Sequence, residues 1–137
     1  MNKMQQQVKE FHLLYGCPSE TRPNLISTER MRLRYHLMSE ELHELFDAWA
    51  EEKLDKCADA LGDLLYVVFG TAIEFGLDME PIVDEIHRSN LSKLGANDKP
   101  IYAANGKVLK GPNYKPPNIE AVLSVLKARA EMEQQEI

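Results

Sequence analysis

Apolar positions recur at helical spacing along most of the chain. Residues 3–15 place Val8, Phe11, Leu14 and Tyr15 on one face before Gly16 and Pro18 end the run. Residues 21–27 read as a loop. Thr28 followed by Glu29 opens a long helix over 28–52, in which Met38, Leu42, Leu45 and Trp49 form one stripe, with Glu41 and Glu44 along its edge and His43 turned away. A second long helix, over 54–75 and stopped by Gly76, carries Leu54, Cys57, Leu61, Leu65 and Val68 on one side. Its other side holds Tyr66, Val67 and Gly70, so the helix is expected to be buried on both sides. A third helix fits 80–94, with Asp78 as N-cap and Gly95 as its end. Through 96–117 the helical period is lost. Asn105-Gly106 between Ile101-Tyr102 and Val108-Leu109 predicts a small hairpin, and Gly111-Pro112 with Pro116-Pro117 makes the remainder a loop. Asn118 caps a last helix over 118–132. The expected fold is therefore all-α: one domain over 1–137, an antiparallel helical bundle with its core in 28–95, a hairpin or loop over 96–117 and a C-terminal helix.

Composition narrows the partners. With 137 residues, 44 % of them hydrophobic, the chain can build one core and is short for two. A net charge of −6 argues against a large nucleic-acid surface, leaving room only for a local basic pocket. Cys17 and Cys57 lack metal-ligand spacing, no apolar run approaches the ~18 residues of a membrane span, and residues 1–10 are too polar for a signal peptide. A cytoplasmic protein that binds neither membrane nor nucleic-acid polymer is expected. The apolar surplus on the second long helix predicts a homodimer, with part of that surface covered by a second copy.

The acids carry the candidate chemistry. Glu40, Glu41 and Glu44 lie on the first long helix, and Asp59 and Asp63, one turn apart, lie on the second inside an apolar run. Two antiparallel helices would converge four or five carboxylates, which repel unless a cation lies among them. A hard divalent ion, Mg²⁺, is the economical reading. Acid runs on helices are usually solvated faces, and EExxE alone would be one; Asp63 in its apolar surroundings shifts the balance. A di-iron reading uses the acid-x-x-His spacings of Glu40 to His43 and Asp84 to His87, but His43 faces away from Glu41.

Downstream, Asn90 and Lys93, then Lys107 and Lys110, stand among amides, hydroxyls and glycines in an otherwise acidic chain. Such mixed donors suit polyphosphate oxygens. Lys99 and Lys115 read as exposed loop lysines.

The EExxE block, the Asp59-Ala-Leu-Gly-Asp-Leu-Leu-Tyr-Val-Val68 run, the Gly70-Thr-Ala-Ile-Glu-Phe-Gly-Leu-Asp78 stretch and Glu85-Ile-His-Arg-Ser-Asn-Leu-Ser-Lys93 resemble one family. It is the MazG-like branch of the all-α nucleoside triphosphate pyrophosphohydrolases, a superfamily that includes phosphoribosyl-ATP pyrophosphohydrolase and the dimeric dUTPases. The resemblance implies a helical fold that dimerises or tetramerises through its acid-bearing helices. It also implies Mg²⁺, or Mn²⁺ in its place, held by Glu41, Glu44 and Asp63, and cleavage of a nucleotide to its monophosphate and pyrophosphate. The family's second-helix ExxD would place a glutamate at position 60, where this chain has Ala60; Asp59 is the candidate replacement, in a DxxxD form.

Water attack at the α-phosphorus makes pyrophosphate the leaving group, with Glu40 as general base or as ligand of another ion. The expected function is Mg²⁺-dependent hydrolysis of a deoxynucleoside or non-standard nucleoside triphosphate, a sanitation of the nucleotide pool. Phosphoribosyl-ATP hydrolysis is one alternative. The other is a non-catalytic helical oligomer whose acids pair with Arg30, Arg32, Arg34 or Lys56. The base is unspecified, since Trp49, Tyr66 or Tyr102 could stack on any of them.

Overall fold

A computed structural model describes residues 1–136, whose regular elements are helices, one short 3-10 turn at Ala96–Asp98 included, and one isolated β-bridge, joined by loops. The helices are α1 (Lys3–Leu14), α2 (Thr28–Ala50), α3 (Leu54–Glu74), α4 (Met79–Leu91) and α5 (Ile119–Gln135). Side-chain oxygens cap four of them. Asn2 accepts from the Gln5 N–H at 2.8 Å, Ser27 from Arg30 at 3.2 Å, Asp78 from Glu80 at 3.1 Å and Asn118 from Ala121 at 3.1 Å. No single helix among the described residues is long and apolar enough to cross a membrane.

The turn after α2 bends at Glu52, which takes a positive φ of 57°, and returns the chain antiparallel. Arg30 near the start of α2 thereby reaches Glu74 at the end of α3. α1 packs on α3, and α4 packs on α5. Val8, Phe69 and Ile73 form a small buried cluster with Met79 against it.

The helices meet on faces rotated from those the apolar stripes predict, with Leu45 and Cys57 common to both. On α2 the inward positions are Arg34, Glu41, Leu45 and Ala48, while Leu42 and Trp49 are 59 % and 66 % exposed. On α3 they are Cys57, Ala60, Leu64, Val67, Thr71 and Glu74; Leu54, Leu61, Leu65 and Val68 point outward. The expected burial of α3 on both sides holds only for its C-terminal half, where Phe69, Gly70, Ala72, Ile73 and Glu74 are buried between α1 and α2; the N-terminal half is open on one side, and Asp63, expected to be buried, is exposed. Small residues at Ala48 and Ala60 admit close approach of the two helices, and the bulkier apolar side chains are left outside.

α1 differs in the same sense. Its buried residues are Gln5, Val8 and His12, whereas Leu14 and Tyr15 are exposed. Gln5 is used at both ends: its Nε2 donates to the Leu77 carbonyl at 2.7 Å and its Oε1 accepts from the Met79 N–H at 2.9 Å. It therefore satisfies backbone groups at the α3–α4 bend.

α4 ends at Leu91, short of the expected 94, because the Ser89 and Ser92 hydroxyls hold the returning chain. Ser89 Oγ donates to the Lys115 carbonyl at 2.8 Å and the Lys115 N–H donates to Ser92 Oγ at 2.9 Å. The hairpin near 100–116 is present in small form, bridging Tyr102 and Val108. The Gly106 N–H closes its turn on the Ala103 carbonyl at 2.9 Å, at a φ of 86° that favours glycine.

Candidate metal and nucleotide site

Glu41 occupies the inward stripe of α2, one position before Leu42, where the apolar pattern puts the helix interface. Its Oε2 is buried and has no hydrogen-bond partner. Burial raises its pKa first; the negative charges of Glu44 and Asp63, a hydrogen bond shared with Glu44 and the Asp59 charge raise it further. The α2–α3 hairpin therefore brings four of the sequence-predicted acids into one electrostatic neighbourhood. Glu40, Glu44, Asp59 and Asp63 are exposed around the half-buried Glu41. Ala60 is buried at the position where the family pattern has glutamate, 3 % exposed, with Asp59 beside it on the solvent side.

A buried carboxylate oxygen without a donor, among other carboxylates, is an arrangement that a divalent cation would complete. Among the described residues no three His, Cys, Asp or Glu side chains are close enough together to hold an ion as they stand. Carboxylates without a shared cation repel one another, so closing the set would require the exposed acids to turn toward Glu41.

The predicted phosphate-binding residues stand apart from this cluster. Asn90 and Lys93 lie at the end of α4, whose main packing partner is α5, and Lys107 and Lys110 lie on the hairpin segment. Lys93 is half-buried, and Lys110 stands over the Tyr114 ring at 4.9 Å from its centroid. Among the described residues no ion pair joins these lysines to the acids.

Sequence reasoning missed one buried charge cluster. Glu74 is fully buried; its Oε1 accepts from Arg30 Nε at 2.8 Å and its Oε2 from Arg30 Nη2 at 2.9 Å, and Arg34 Nη1 approaches the same Oε2 at 3.2 Å. Arg34 is itself buried, and also donates to Thr71 Oγ1 at 3.1 Å and the Val67 carbonyl at 2.8 Å. Burial lowers the Arg34 pKa and the Glu74 charge opposes that; the Arg30 pKa is raised by its bond to Glu74. The signal was present in the sequence, since Glu74 interrupts an apolar run as Asp63 does.

The chain matches the model of the phosphoribosyl-ATP pyrophosphohydrolase family over residues 8–90, a span that includes all the acids described. It belongs to that family. The MazG-like all-α pyrophosphohydrolase resemblance of the motifs and the helical fold agree with this. A solved structure from Exiguobacterium sp. 255-15, an inferred NTP pyrophosphohydrolase, is 26 % identical with a TM-score of 0.50, covering 97 % of this chain and 98 % of that one. The uncharacterized protein L479 of Acanthamoeba polyphaga mimivirus is 32 % identical over 109 residues. That match covers 77 % of this chain and 41 % of L479, so the chain spans about two fifths of that relative's length.

Proposed function

We propose that this pyrophosphohydrolase-family domain hydrolyses a nucleoside triphosphate, deoxy or non-standard, to its monophosphate and pyrophosphate with Mg²⁺ or Mn²⁺. The observation that carries the reading is the unpartnered buried Oε2 of Glu41 amid Glu44, Asp63 and Asp59. Of the four cations the non-catalytic alternative would use, Arg30 and Arg34 are committed to Glu74, and among the described residues no ion pair joins Arg32 or Lys56 to these acids.

Glu41, Glu44 and Asp63 would hold the ion, with Asp59 in place of the glutamate absent at Ala60. When bound, the ion neutralises phosphate charge and lowers the pKa of a bound water. Glu40, exposed and next to Glu41 in the chain, would take a proton from the attacking water or ligate a further ion. Asn90, Lys93, Lys107 and Lys110 supply donors for phosphate oxygens from the α4 and hairpin side. The exposed apolar faces of α2 and α3 support a homodimer, with a tetramer as the larger assembly.

The test is a panel of nucleoside triphosphates, phosphoribosyl-ATP included because of the family match, assayed with Mg²⁺ for pyrophosphate against orthophosphate. Pyrophosphate from at least one substrate, abolished by chelator, is expected. Orthophosphate alone, or no turnover across the panel, would overturn the reading.

A further inference from the structure

Arg30 and Glu74 stand opposite each other on antiparallel α2 and α3. Four residues further along α2, and four back along α3, Arg34 stands opposite Gly70, and the contacts bear this out. A Cβ at position 70 would collide with Arg34 Nη2 and lie 2.8 Å from His12 Nε2. Seven more residues in each direction place Glu41 opposite Asp63. Arg34 and Glu41 therefore share one inward stripe, two turns apart, and any slip or rotation of α2 moves both.

We propose that Arg34, seated in the alcove left by Gly70 and clamped to Glu74, Thr71 and Val67, is a positioning residue that sets Glu41 opposite Asp63. The inference rests on the metal-site reading above.

The rest of this interface is small and apolar, with Ala48, Ala60, Leu45 and Leu64 offering contacts that tolerate alternative seatings. One residue of slip displaces a helix by about 1.5 Å, whereas ligand distances at a metal hold to about 0.2 Å. A planar guanidinium with three separate acceptors has one seating. Arg30 does less: its side chain is 33 % exposed, against 8 % for Arg34, and it sits in the first turn of α2.

Arg34→Met tests this without orphaning Glu74, which keeps both bonds to Arg30. Mg²⁺ affinity is measured by calorimetry without nucleotide, alongside the metal-free melting temperature and the Mg²⁺ dependence of turnover. The dissociation constant should rise about tenfold or more, the range seen when groups supporting metal ligands are removed. Half-maximal Mg²⁺ should rise with it, and kcat at saturating Mg²⁺ should fall less. Arg34→Lys should recover part of the loss. Ile82→Ala, on α4, should lower the melting temperature with Mg²⁺ affinity unchanged. Unaltered affinity in folded Arg34→Met would overturn the proposal. Should that variant not fold, Thr71→Val decides in its place: a smaller rise in the same direction supports the proposal, and no change overturns it. A wild-type protein that binds no Mg²⁺ removes the metal-site reading and the inference with it, whereas a binding wild type with equally binding variants removes the inference alone.

Discussion

At the scale of single residues, Glu41 is under opposing demands. Its raised pKa means that the folded state holds the proton more tightly than the unfolded chain does. Stability of the metal-free protein should therefore fall as pH rises from the ordinary carboxylate range toward the folded-state value, then level off. Mg²⁺ competes with that proton, so Mg²⁺ affinity should climb over the same window; urea titrations with and without Mg²⁺ across the carboxylate range read both trends. Glu41→Gln should remove the pH-dependent loss, raise the metal-free melting temperature and abolish the Mg²⁺-induced shift, with turnover down about a hundredfold or more. A wild-type rate in that variant would take Glu41 out of the site. Asp63 acts on Glu41 more strongly than Asp59 does, so Asp63→Asn should weaken Mg²⁺ more than Asp59→Asn. Equal affinities for Mg²⁺ in the Asp59→Asn and wild-type proteins would sink the DxxxD form of the motif.

At the scale of helices, most start and stop signals were legible, since caps such as Asn118 and breakers such as Gly76 act within a turn of themselves; Gly95 was not the stop of α4, which ends at Leu91. The face each helix buries was not. α3 is apolar nearly all round, so its periodicity names no single inward side, and the actual interface follows small and charged residues at Ala60, Gly70 and Glu74 that a search for large apolar stripes passes over. The acids of the candidate site could be named individually from the sequence, but the exposure of Asp63 depends on which side of α3 faces α2. Glu74 shows what that interface demands. Glu74→Ala would leave the buried guanidinium of Arg34 without its counter-charge, which should cost about 3 kcal/mol or more in urea unfolding. Glu51→Ala, which breaks only an exposed pair with Lys53, should leave the unfolding midpoint unchanged. Equal midpoints for the two variants would show that the Arg30–Glu74–Arg34 cluster does not hold the hairpin together.

At the scale of the whole molecule, α2 and α3 carry a run of exposed large apolar side chains, the feature on which the proposed dimer rests. Leu42, Phe46 and Trp49 on α2 are each more than half exposed, as is Leu54 on α3; Leu61 and Leu65 reach 50 %, and the Phe46 and Trp49 rings lie 5.5 Å apart, centroid to centroid. Each large side chain moved from water into an interface contributes about 1.5–3 kcal/mol before the cost of association, so a few of them covered together would hold two copies at micromolar concentration. These positions flank the acids on the same two helices, so pairing would also surround the exposed carboxylates with protein and strengthen their interaction with a cation. Light scattering at micromolar concentration should accordingly report a dimer or tetramer, with a melting temperature that rises with protein concentration. Leu65→Glu, which places a charge within that surface and touches none of the acids, should yield a monomer with a lower melting temperature and weaker Mg²⁺ binding. A wild-type protein that scatters as a monomer would require that this surface stays open to solvent, and a monomeric Leu65→Glu variant with wild-type Mg²⁺ affinity would show that one protomer completes the site by itself.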